Sequence, residues 1–203
     1  MFSYRVKDLD KLMERFNPAV VAKANVAGAN KATQKARTFI SKSIRARYTV
    51  AAKAVSKRVA LRRASRSNPV AELRYRGPRV GLINFRARSK QISIARKPRG
   101  NQKGRPWGNK RQAVTVQVRK DGGRKRVESK SGFIATGANG NEHIFYRVGK
   151  ERNKLRSLKS LSIPEMVLSA EGAGAQENYQ QFIEREYDIE FDRALRHYLR
   201  KSK

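Results

Sequence analysis

The sequence predicts an α+β fold: long N-terminal helices, a small antiparallel β-sheet with a protruding basic loop, and a C-terminal helix. Three observations predict it. Small and apolar residues recur at spacings of three and four between Asn17 and Tyr48, the period drops to two after Pro69, and a helical period returns near Gln176. Helices repeat about every 3.6 residues and strands every second residue, so each change of period marks a change of element.

The first helix is expected over Asn17–Tyr48. Asn17 suits an N-cap, and Pro18 suits the first helical position, where a missing N–H costs nothing. Ala29, Ala32, Ala36, Phe39 and Ser43 form a narrow stripe, with Lys31, Lys35, Lys42 and Arg45 off it. A stripe so small lets another helix come close. It serves either as core or as a subunit contact, and Ala29, Ala32, Ala36 and Phe39 are the interface candidates. A second helix is expected from about Thr49, with Ala52, Val55 and Val59 on one face. The run Val59–Ser65 fits its last turn or a first strand. The basic cluster Arg62, Arg63 and Arg66 lies there, before the break at Ser67-Asn68-Pro69.

After Pro69, Ala71, Leu73 and Tyr75 alternate with Glu72, Arg74 and Arg76, the mark of a half-buried strand. Gly77-Pro78 turns the chain. Further strands are expected over Val80–Phe85, Gln91–Ala95 and Ala113–Arg119, the last with Val114, Val116 and Val118 on one face. Asp121-Gly122-Gly123 supplies a hairpin turn, followed by the basic triplet Arg124, Lys125 and Arg126. Gly132–Thr136 and His143–Val148 complete the sheet.

Between two of these strands lies KPRGNQKGRPWGNKRQ, residues Lys97–Gln112, with one Trp and almost no aliphatic residue. It has too little apolar area to order itself. A protruding arm over 96–112 is expected, touching nucleic acid or an acidic partner through Lys97, Arg99, Lys103, Arg105, Trp107, Lys110 and Arg111. Trp107 can stack on a base or anchor in a protein pocket. It can equally fold back on the sheet.

Ser162–Met166 reads as a break before the final helix, which is expected over about Gln176–Arg200. Tyr179, Ile183, Tyr187, Phe191, Leu195 and Tyr198 form its apolar stripe. Glu184, Glu186, Asp188, Glu190 and Asp192 occupy its other faces. No internal repeat is visible. The whole chain, 1–203, reads as one domain with a helical part (1–66), a sheet with its arm (67–150) and a C-terminal helical part (151–203).

Charge is the strongest compositional signal. The chain carries 48 Lys or Arg against 16 Asp or Glu, a formal net charge of +32 in 203 residues. A compact protein so charged repels itself unless a polyanion or an acidic protein surface neutralises it. The charge is also polarised. Between Arg15 and Lys120 there are 29 basic residues and a single acid, Glu72, whereas Leu161–Lys203 holds six basic and eight acidic residues. Complementary regions of this kind can orient neighbouring subunits. Glu184, Asp188 and Asp192 are the acidic interface candidates.

The sequence has no Cys, which excludes disulfides and thiolate metal sites and suits a reducing cytoplasm. No signal peptide is expected in MFSYRVKDLDKLMERF, and no stretch nears the roughly 20 apolar residues of a membrane span. No catalytic constellation stands out. His143 and His197 lack partners for a metal site. The row Glu184, Asp188 and Asp192 could in principle hold Mg²⁺, but one exposed row on one helix is normally a solvated face. The Gly-rich Gly137–Asn141 lacks the order of a phosphate-binding loop. Neither catalytic nor metal residues nor a cofactor are expected.

Four stretches together carry a resemblance. They are SKSIRARY (Ser41–Tyr48), LRRASRSNPVAELRYRG (Leu61–Gly77), GFIATGANGNEHIFYRVGK (Gly132–Lys150) and LKSLSIPEM (Leu158–Met166). In this order the chain resembles the minor tail protein Z family of lambda-like phages and prophages. The resemblance implies a non-enzymatic virion protein of the neck or upper tail, assembled in the host cytoplasm. It implies action late in tail completion, in joining tail to head and in placing the DNA end. It also implies a homo-oligomeric ring, a hexamer being one candidate, beside tail-terminator, neck or tail-tube proteins and the packaged double-stranded DNA end. The basic surface would face DNA or acidic neighbours. A ribosomal- or nucleoid-type nucleic-acid-binding protein is the alternative from another class, and a nuclease resting on the carboxylate row is a third.

Overall fold

The computed structural model describes residues 17–94, 109–127, 132–149, 154–171 and 178–201. It is an α+β protein. Helix α1 spans Pro18–Arg47 and the short α2 Ala52–Ser56; strands β1 (Val59–Arg62) and β2 (Glu72–Tyr75) follow, then a 3₁₀ turn at Leu82–Asn84. Next come β3 (Arg88–Ile94), β4 (Asn109–Val116), β5 (Lys125–Arg126), β6 (Phe133–Thr136), β7 (Glu142–Arg147) and β8 (Leu155–Ser157). Helices α3 (Ile163–Glu171) and α4 (Tyr179–Lys201) close the order. The strands form three small antiparallel sheets: β1-β2, β3-β4-β5 and β6-β7-β8.

By contacts the chain divides into two compact units. The first comprises Met1–Arg45, Val55–Gly77 and Ile163–Lys203, and the second Ala46–Ala54 and Pro78–Ser162.

In the first unit α1 begins as its sequence requires. The Asn17 side chain accepts the Ala19 N–H at 3.0 Å, while its carbonyl accepts from Val20 and Val21. The buried stripe of α1 runs Val21, Ala24, Gly28, Ala32, Ala36, Ile40 and Ile44, spaced by three or four. It packs on α4, which runs antiparallel to it: Phe39 stacks on Phe182 at 4.0 Å, Lys35 meets Glu186, and Gly28 lies under Phe191. Val20, Val21, Ala24 and Ala32 share one core cluster with Tyr187, Phe191 and Leu195. Each large side chain so buried contributes about 1.5–3 kcal/mol. The run Val59–Arg62 is strand rather than helix, paired with β2 from Val59↔Tyr75 to Arg62↔Glu72. Helix α3 replaces the expected break at Ser162–Met166. Pro164 sits in its first turn, where proline is tolerated, and Ile163, Met166, Val167 and Ala170 are buried.

The second unit is built around Val114, Val116 and Ile144, with Leu82, Ile83, Val118, Val127, Ile134 and Leu158 packed against them. Strands β3 and β4 form a long hairpin paired from Arg88↔Thr115 to Ile94↔Asn109. The strand expected over Val80–Phe85 is not continuous. Val80 and Leu82 bond to Leu161 and Leu158 beside a one-residue bridge, Gly81↔Lys159. The chain then tightens, and both the backbone and the side-chain amide of Asn84 donate to the Gly81 carbonyl. Strand β4 ends at Val116, before the expected Arg119. Beyond it the Thr49 N–H and hydroxyl donate to the Val118 and Gln117 carbonyls respectively, and Tyr48 bridges Arg119.

Candidate functional site

The outer face of the β3-β4-β5 sheet is the clearest charged surface. Antiparallel Cα partners point to the same side, so the row Arg88–Thr115–Arg126 shares a face with Lys90 and Ala113. The opposite face holds the buried Val114 and Val116. Arg88, Lys90 and Arg126 are exposed. Arg124, two residues before Arg126 and half-buried, is pinned: its guanidinium donates to the Arg86 carbonyl at 2.9 Å and lies 3.5 Å from the Thr115 carbonyl and hydroxyl. Lys125 pairs with Val116 and therefore belongs to the other face, at the sheet's end. The triplet Arg124-Lys125-Arg126 is thus not one patch.

Arg86 stands at the head of this surface with φ of 47°, the only positive-φ non-glycine among the described residues. Phe85 before it is fully buried and its carbonyl accepts the Gln117 N–H at 3.2 Å. The chain must leave that anchored ring and turn sharply into β3 two residues later. A left-handed arginine costs about 1–2 kcal/mol, and such outliers persist only where the surroundings hold them. Here the buried Phe85 and the Arg124 bond do so. Nothing in an arginine signals this beforehand.

The second unit contains 25 Lys or Arg and 4 Asp or Glu. At this density the field favours a polyanionic or acidic partner, with salt-sensitive affinity.

The cluster Arg62, Arg63 and Arg66 is exposed and belongs to the first unit. Asn30 of α1 clamps its loop, donating to the Ala64 carbonyl at 3.0 Å and accepting the Ala64 N–H at 2.8 Å. Lys97, Arg99, Lys103, Arg105 and Trp107 lie outside the described residues. Lys110 and Arg111 are in β4, paired with Ser93 and Ile92.

Ala32 and Ala36 are buried in the chain's own fold, 2% and 1% exposed. Ala29 packs beside that core, and Phe39 stands edge-on to Tyr179 as well as stacked on Phe182. Ala32 and Ala36 thus pack within the chain's own core, while Ala29 and Phe39 are half-buried beside it. Asp188 and Asp192 are exposed, and Glu184 is half-buried, accepting from Gln180 at 3.0 Å.

Glu190 departs from its expected outward position, being only 3% exposed. Its Oε1 lies 2.7 Å from Lys35 Nζ and 2.7 Å from the Arg193 guanidinium, while Lys35 also reaches Glu186 at 2.7 Å. The hydrogen bond to Lys35 holds the Glu190 carboxyl below its ordinary range against the opposing effect of burial. The hydrogen bonds to Glu186 and Glu190 raise Lys35. This cluster links α1 to α4 and is structural. The clue in the sequence is that Glu186 and Glu190 each adjoin an aromatic of the buried stripe.

Among the described residues no group of three or more His, Asp or Glu could hold a metal ion, and no helix is long and apolar enough to cross a membrane.

The family profile described as prophage minor tail protein Z matches residues 5–202, and the chain belongs to that family. It is a structural protein of the bacteriophage tail, which places it among the other tail components of the virion. No curated protein and no solved structure matches the chain.

Proposed function

We propose that this minor tail protein acts in tail completion and head–tail joining, as a homo-oligomeric ring around the DNA passage at the neck or upper tail. The observation that carries this reading is the division of charge. One unit holds 25 basic residues against 4 acidic ones, while α4 of the other presents Asp188 and Asp192 to solvent. Surfaces of opposite sign on one chain let each copy engage the next head to tail, and such contacts build a ring where the rotation between copies closes. A passage gripping many phosphates would hold DNA back, since each neutralised phosphate adds affinity. The basic sheet therefore serves mainly to meet acidic protein surfaces, the next copy's α4 and neighbouring tail proteins, with few side chains on the DNA itself. The work is assembly, not catalysis.

Sedimentation of the purified chain tests this. A closed oligomer of one stoichiometry at low salt, dissociating at high salt, is the expected result. A monomer under both conditions sinks the ring. Incubation with DNA and Mg²⁺ should leave the DNA intact, and cleavage that Asp188→Ala abolishes would overturn the non-enzymatic reading.

A further inference from the structure

We infer that the outer face of the β6-β7-β8 sheet is a binding site for single-stranded nucleic acid. Pairing of Phe133 with Phe145 and of Phe145 with Ser157 sets these residues in one row across the sheet. His143 and Arg147, two residues either side of Phe145, share that face. The other face supplies Ile134 and Ile144 to the core, and Ile144 is 1% exposed. Phe133, His143 and Phe145 are therefore aromatic residues on the side of the sheet that the core does not use, and all three are half-buried.

Their rings form a continuous group. The centroids of Phe133 and Phe145 are 6.3 Å apart and those of His143 and Phe145 5.6 Å apart. The Arg147 guanidinium carbon lies 5.6 Å from the Phe133 centroid. At the sheet's end Gly137 keeps the turn bare of a side chain: a Cβ there would stand 3.3 Å from His143 Cδ2 and 3.5 Å from the Phe145 ring.

Charge names the occupant. Among the described residues this face carries Arg147 and, two residues beyond Ser157, Lys159, and no acid; Arg156, paired with Tyr146, and Glu142, two residues before Ile144, belong to the other side. A peptide docking on these rings would need acidic residues to match those cations, whereas a nucleic-acid strand brings both aromatic faces and phosphates. Base-on-aromatic stacking requires bases that are free of their own duplex, so the site selects single strands over double strands. Arg147 is placed to meet the backbone of a strand whose bases lie on Phe145 and His143. This site differs from the Arg88–Arg126 surface, which has no aromatic residue, and it does not depend on ring assembly.

Fluorescence anisotropy on the full chain tests it, with a labelled oligothymidylate and a duplex of equal length as probes. The oligothymidylate should bind more tightly than the duplex. Phe145→Ala should weaken it about tenfold with little change for the duplex, while Phe145→Trp retains binding. Arg88→Gln should weaken both probes alike. If thermal melts show that Phe145→Ala does not fold, Phe145→Leu keeps the apolar volume without the ring and is read in its place. Equal affinity for the two probes overturns the inference. So does a ring deletion that leaves oligothymidylate binding unchanged or weakens both probes equally.

Discussion

Glu190, 3% exposed on α4, meets Lys35 of α1 with 2.7 Å between Oε1 and Nζ. Deleting the lysine would leave a buried carboxylate short of its partner. Breaking a fully buried pair costs about 3–5 kcal/mol. Lys35 is 42% exposed and Arg193 remains on the same oxygen, so Lys35→Met should cost roughly 1–2 kcal/mol in denaturant unfolding. Arg193→Ala, at the more exposed partner, should cost less. The opposite order would show that Arg193 is the main counter-ion.

The same pair sets a pH dependence. The Glu190 carboxyl is held below its ordinary value of 4.5, first by the hydrogen bond to Lys35. Stability from such a group is fully present above the unfolded value and is lost as pH falls through the folded one. Thermal melts should show the wild type weakening below about pH 4.5, and Glu190→Gln should have a shallower acid limb. Lys35 is raised above 10.5, so its contribution is present below that value and disappears as pH rises through the folded pKa. An acid limb unchanged in Glu190→Gln would assign the acid sensitivity elsewhere.

Gly28 lets the two long helices touch. A Cβ there would stand 3.0 Å from both Cα and N of Phe191, backbone atoms that cannot swing aside. Alanine is the better helix former by about 1 kcal/mol, yet Gly28→Ala should lower stability by about 1–2 kcal/mol through overpacking. A melting temperature that rises instead would mean that the helices separate without loss.

Much of the helical framework is legible in the sequence. Asn17-Pro18 marks the start of α1, and the apolar spacing of Tyr179, Tyr187, Phe191 and Leu195 marks α4, because burial of one face demands that period. Local signals fail where tertiary partners decide. Glu190 reads as a solvent residue until Lys35 is brought to it by a distant helix. Val80–Phe85 has a strand's apolar content, but the Asn84 amide closes back on Gly81 and tightens the chain. Pro164 reads as a breaker, yet in a first turn it begins a helix. Leu155–Ser157 is short and basic, and becomes a strand only because β7 offers it a ladder. Among the interaction candidates, the exposure of Arg88, Arg126 and Asp188 is decided by which face the sheet or helix buries. The small residues Ala32 and Ala36 are compatible in sequence with either core or interface, and only the fold shows that both are buried.

Arg86 should trade stability for binding. Its φ of 47° suits glycine, so Arg86→Gly removes a conformational cost of about 1–2 kcal/mol. The greater freedom of glycine in the unfolded chain offsets part of that. The variant should be more stable by up to about 1 kcal/mol. Its retention on a heparin column, a polyanion surrogate, should fall with one cation fewer. Lower stability would mean that the Arg86 side chain supports the fold.

Tyr75 carries a buried hydroxyl with no hydrogen-bond partner among the described residues, and burial pushes its ionisation well above the ordinary range. An unmatched buried hydroxyl costs stability. Tyr75→Phe should therefore be neutral or stabilising by up to about 1 kcal/mol. A clear loss in chemical denaturation would reveal a partner for that oxygen.

The acidic face of α4 should be required for assembly rather than for folding. Asp188 and Asp192 are exposed and Glu184 is half-buried, in a row along one edge of the Tyr187–Phe191 stripe. Reversing all three to lysine leaves the α1–α4 core and the Lys35 cluster intact, so the monomer should keep its helical content and a cooperative melt. What changes is the surface a neighbouring copy would meet. If that neighbour presents its basic sheet, attraction becomes repulsion and the oligomer should fall apart in sedimentation at low salt. The wild-type contact should itself weaken with salt, because the screening length falls from about 10 Å at 0.1 M to about 3 Å at 1 M. Restoring assembly by the reciprocal reversal of Arg88 and Arg126 to glutamate would identify the basic partner surface. A triple variant that assembles normally and builds normal tails would show that this face is only solvated, and the ring would then need another contact.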